Sequence, residues 1–140
     1  MNWREQAVSS HYQTAVAIRD ELRQGHVAEA AIGIEELIDA LSRSERRALR
    51  SQLIRLMKHV LKWLAQPDQR SRSWAGSIRS ARREIRDIQE ETPSLTDDVI
   101  RSMWAACLEA ARDEALTEMN QETDLPDLSW QDVFETNYRV

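Results

Sequence analysis

Between Ser42 and Arg86 the chain gathers residues suited to holding an anion. Thirteen of its nineteen Lys and Arg fall in this stretch against three acids, a local net charge of +10. The remainder carries −15, so the overall −5 describes no single face. His59 and Lys62 precede Gln66-Pro67, and Arg70 and Arg72 follow it. Ser71 or Ser73 can cap a helix there and leave free backbone N–H groups between two arginines, a phosphate- or carboxylate-binding arrangement. Arginine adds bidentate geometry that lysine lacks. Arg79, Arg82, Arg83 and Arg86 recur at helical spacing and would extend the positive surface along a nucleic-acid backbone. The competing expectation is that these cations neutralise acids of the same fold, with Glu35, Glu36, Asp39, Asp113 and Glu114 available.

Other reactive types give less. There is no Gly-rich phosphate loop, nucleophile elbow or paired-cysteine zinc pattern. His11, His26 and His59 are far apart and sit in no metal-binding motif, so neither metal nor cofactor is expected. Cys107 lies on an apolar helix face and reads as a small buried hydrophobe rather than a nucleophile. Glu114 and Glu118, one turn apart, either line a cavity or pair with arginines of the third or fourth helix. Trp63 and Trp74 read as core residues, open to base stacking only if exposed beside the arginines.

The elements that must position these groups are all helical. The chain has 140 residues, three Gly and three Pro, and no stretch alternates as a strand does. The expectation is an all-α, single-domain helical bundle of five to six helices over residues 1–140. The first spans Trp3–Gln24 and stops at Gly25. A second, Val27–Leu41, aligns Val27, Ala30, Ala31, Ile34, Leu37, Ile38 and Leu41. A third is capped at Ser42 or Ser44 and ends at Gln66-Pro67, its apolar half running from Leu49 to Leu64. The fourth runs from Ser71 or Ser73 to Glu91 with Trp74, Ile78, Ala81, Ile85 and Ile88 inward. The fifth covers Thr96–Glu122, with Val99, Ile100, Met103, Trp104 and Cys107 on its buried side, and a last one Ser129–Asn137.

The run Arg43-Ser44-Glu45-Arg46-Arg47, His59-Val60-Leu61-Lys62-Trp63, Gln66-Pro67 and Arg70-Ser71-Arg72-Ser73-Trp74 resembles a bacterial family, domain of unknown function family 29. Arg82-Arg83, Thr92-Pro93-Ser94-Leu95 and Glu122-Thr123 fit it too. The resemblance implies an all-α domain of this length and brings no activity, substrate or cofactor.

One cysteine allows no intramolecular disulfide and suits a reducing cytoplasm. Met1-Asn2-Trp3-Arg4-Glu5-Gln6 lacks the apolar run of a secretory leader. Leu53–Ala65, broken by Arg55, Lys58, His59 and Lys62, is too charged to span a bilayer, and no membrane partner is expected. The functional expectation is therefore a binding protein rather than an enzyme, holding nucleic acid or an acidic protein on the basic face. The alternative is a protein-interaction module or homo-oligomer with structural arginines.

Overall fold

The computed structural model describes residues 1–121 and 124–140. The described residues are helical, without strands, as the composition requires: α1 Trp3–Ser9, α2 His11–Arg23, α3 Val27–Ala65, α4 Arg72–Glu91, α5 Asp97–Ser102, α6 Trp104–Met119 and α7 Trp130–Phe134. A 3-10 turn at Pro67–Gln69 joins α3 to α4. The chain divides into two compact units, Met1–Arg47 and Ala48–Val140, with the division inside α3.

In the first unit the expected single opening helix is broken at Ser10. Its extended backbone (φ −157°, ψ 111°) ends α1, and its hydroxyl accepts from Gln13 N at 3.1 Å to cap α2. Gly25 ends α2 as expected, at φ 82°. His26 N donates to Glu21 O and Gly25 N to Leu22 O, the paired bonds of a Schellman turn. The core of this unit is thin: Trp3, Ile18 and Ala30, with Ala17 and Leu37 packed against them. Gly33 makes it possible, because a Cβ there would lie 2.8 Å from Ile18 Cγ1 and 2.9 Å from the Trp3 ring. Trp3 Nε1 donates to Glu29 Oε2 at 2.9 Å, pinning α1 to α3. The aligned apolar residues at the start of α3 are not a single buried face. Ala30 is buried and Leu37 partly so, but Val27, Ile34, Ile38 and Leu41 are exposed.

The expected break at Ser42 or Ser44 is absent, and α3 runs through both residues. A serine mid-helix costs only about 0.5 kcal/mol relative to alanine. Neither Gly nor Pro interrupts the good helix formers around it, and Arg43 pairs with Asp39 one turn back.

The second unit holds the larger core. Leu49, Leu53, Leu56, Met57, Val60 and Leu61 of α3 meet Ile78, Ala81 and Ile85 of α4 and Ile100, Cys107, Ala111 and Ala115 of α5 and α6. Ser71 caps α4, its hydroxyl accepting from Trp74 N at 3.2 Å. The expected fifth helix is interrupted at Met103, which leaves helical geometry (φ −102°, ψ 3°) and separates α5 from α6. α6 ends at Met119 with Asn120 in the left-handed region, short of the expected end at Glu122, a residue that lies outside the described ones. Ser129 and Asp132 form a reciprocal capping box on α7, which is shorter than the expected Ser129–Asn137. Beyond it Tyr138 is buried again.

Candidate polyanion surface

The eight basic residues singled out in the sequence fall into two groups with different surroundings. At the α3–α4 turn most are engaged by the fold itself. His59 is half-buried, with Nδ1 2.8 Å from the Arg55 carbonyl. Lys62 donates to Glu118 Oε2 at 3.0 Å and lies over the Trp74 ring, 4.9 Å from its centre. Arg70 Nε donates to the Trp63 carbonyl at 2.9 Å, and its guanidinium covers the Trp63 ring at 5.0 Å. Trp63 itself is buried, and Trp74 is half-buried with Lys62 over its ring. Arg72 is exposed.

The α4 arginines are arranged differently. Spacing of three, four and seven residues puts Arg79, Arg82, Arg83 and Arg86 on one side of the helix, flanking the buried Ile78, Ala81 and Ile85. Arg79, Arg83 and Arg86 are exposed. Among the described residues none of the four has a carboxylate within 4.0 Å. Arg82 is the anchor. Its Nε donates to the Val133 carbonyl at 2.8 Å, one terminal nitrogen approaches the Asp132 carbonyl at 3.5 Å, and the guanidinium lies 5.6 Å from the Tyr138 ring centre. Tyr138 Oη donates to the same Asp132 carbonyl at 2.7 Å. Together these hold α7 and the following residues against α4 and form a groove. A hollow of about 450 Å³ is lined by the four arginines with Phe134, Glu135 and Asn137. A second hollow of about 200 Å³ shares Arg82, Arg86 and Phe134 with it and continues to Ile85, Gln89, Asp97, Ile100 and Trp130. From the sequence, the arginines share a face of the fourth helix, and Trp130 and Phe134 share one side of the short last helix. Their one-turn spacing was the available signal; that α7 docks beside the arginines was not.

The sequence profile of the domain of unknown function DUF29 matches residues 12–138. The chain belongs to the DUF29 family. No curated protein and no solved structure matches it. The matched stretch of this DUF29 chain contains the whole arginine groove, α4 through Asn137.

The remaining sequence candidates of the DUF29 chain have structural partners. Glu114 and Glu118 pair with lysines of α3 rather than with the expected arginines: Lys58 Nζ lies 3.6 Å from Glu114 and 3.0 Å from Glu118, and Lys62 Nζ 3.0 Å from Glu118. The bond to Lys62 is the main reason the Glu118 carboxyl titrates below its ordinary value; partial burial opposes the shift and Lys58 adds to it. Cys107 is fully buried, which raises its thiol pKa and makes it a poor nucleophile. No cluster of three metal-binding side chains occurs among the described residues.

His59 gives a pH signature. Burial holds its pKa below the ordinary 6.5; the bond to the Arg55 carbonyl opposes this, and Lys58, Lys62 and Arg55 reinforce it. The unfolded chain therefore binds the His59 proton more readily than the folded one, so stability falls as pH drops below 6.5 and is fully present above it. Urea unfolding across that window should show the loss, and His59→Gln should flatten it. An unchanged slope in the variant would assign the effect to other groups.

Proposed function

We propose that this DUF29 protein is a non-enzymatic binding protein of the cytoplasm that holds a polyanion on the arginine face of α4. The observation that carries the reading is that Arg79, Arg83 and Arg86 are exposed, lack carboxylate partners among the described residues and border a groove, while Lys62 and Arg70 of the α3–α4 turn are engaged within the fold. Like charges gathered without counter-ions cost stability, and a bound polyanion removes that cost. The cytoplasmic assignment rests on the lone reduced Cys107. No described helix is long and apolar enough to cross a membrane. The test is fluorescence anisotropy of a labelled single strand of nucleic acid at low and moderate salt. Binding that weakens steeply with salt is expected; salt-insensitive binding, or none at low salt, contradicts the proposal.

A second reading has its own observation. Val27, Ile34, Ile38 and Leu41 form an exposed apolar stripe on α3, between 38% and 65% accessible, over a unit whose core is small. Along the same stretch Glu35, Glu36 and Asp39 give way to Arg43, Arg46 and Arg47, so an antiparallel second copy would set acids against arginines. Light scattering should then report a dimer that Ile34→Glu with Ile38→Glu dissociates, and a monomer at high protein concentration rules the dimer out.

A further inference from the structure

We infer that the α4–α7 groove takes a nucleotide unit of a single strand, its phosphates on Arg79, Arg83 and Arg86 and its base in the adjoining slot against Phe134 and Trp130. The inference rests on the polyanion reading of α4 and names the ligand of that same surface. The two hollows differ in chemistry and adjoin, sharing Arg82, Arg86 and Phe134 in their linings. The larger is basic, and a phosphate or sulfate polymer of any kind would satisfy it. The smaller is walled by Ile85, Ile100, Trp130 and Phe134 and has a polar end at Gln89 and Asp97. A base-free polyanion has no use for such a slot, whereas a base brings an apolar π-face and a polar edge.

The aromatic wall is built in advance. Phe134 and Trp130 have ring centres 4.5 Å apart, Trp130 stacks on Trp104 at 5.7 Å with planes 21° apart, and the Arg101 guanidinium lies 4.5 Å from the Trp130 ring centre. A base entering the slot would meet rings already packed on one another. The polar end is fixed as well. Gln89 Nε2 donates to the Leu95 carbonyl at 3.1 Å and to Asp97 Oδ1 at 3.0 Å. Gln89 Oε1 and Asp97 Oδ2 are thereby left as acceptors for a ring N–H or exocyclic amine. Recognition is general among bases, because each presents a stacking face and a donor on its edge.

The experiment compares two labelled single strands of equal length at low salt, one with ordinary bases and one abasic throughout, by fluorescence anisotropy. The base-bearing strand is expected to bind about tenfold more tightly. Phe134→Leu should erase that preference while leaving the affinity for the abasic strand in place. Equal affinities for the two strands in the unmodified protein overturn the nucleotide assignment and leave the polyanion reading standing. No binding of either strand overturns both.

Discussion

Replacing Arg82 with methionine is expected to destabilise the second unit by about 2–3 kcal/mol, the range for losing a hydrogen bond made by a charged donor while leaving its partner unpaired. The Val133 carbonyl belongs to a fully buried residue and would lose its Arg82 donor at 2.8 Å. Methionine restores most of the aliphatic stem, so lost packing does not account for the change. Arg82 is half-buried, and burial lowers its pKa from the ordinary value, with Tyr138 opposing the shift. Its bonds thus lie partly shielded from water. Urea unfolding monitored by tryptophan fluorescence measures the loss. Arg83→Met, on the exposed neighbour, should stay within about 0.5 kcal/mol of the parent. Equal stability of the two variants would mean that Arg82 does not hold α7.

The triple variant Arg79→Ser, Arg83→Ser and Arg86→Ser is expected to lose polyanion affinity on the order of a hundredfold at low salt, since three phosphate contacts and the counter-ions they displace are removed. Its unfolding should be unchanged or slightly shifted upward, because the three side chains are exposed and make no ion pair among the described residues. Binding at parental affinity would place the ligand elsewhere. A fall in stability matching the fall in affinity would assign the arginines to the fold instead.

Helix type and the main core were legible because periodicity reports burial directly. Ile78, Ala81 and Ile85 fall where the wheel places them, and the apolar run of α3 packs inward from Leu49 to Trp63, while Leu64 at its end is exposed. Glycine and proline signals held at Gly25 and at Gln66-Pro67, where backbone geometry is imposed by the residue itself. Serine signals were ambiguous in both directions. Ser10 breaks a helix that its neighbours would continue, while Ser42 and Ser44 sit within one. A serine hydroxyl caps only when the chain turns there for other reasons, and those reasons are tertiary. The basic residues were legible as a set but not in their division. Lys58 and Lys62 meet Glu114 and Glu118, which lie 56 to 60 residues away along the chain. The groove depends on Arg82 reaching carbonyls 50 and 51 residues downstream. No local pattern encodes either pairing.

The most direct test of the central claim, that the working basic surface is the α4 face and not the α3–α4 turn, is the salt dependence of single-strand binding in three proteins. Each phosphate contact adds about 0.7 to the slope of log affinity against log salt for a single strand. Removing Arg79, Arg83 and Arg86 together is expected to flatten the slope by about 2 relative to the parent. Arg70→Ala with Arg72→Ala should leave the slope unchanged. A slope flattened by the turn variant and untouched by the α4 variant would contradict the account.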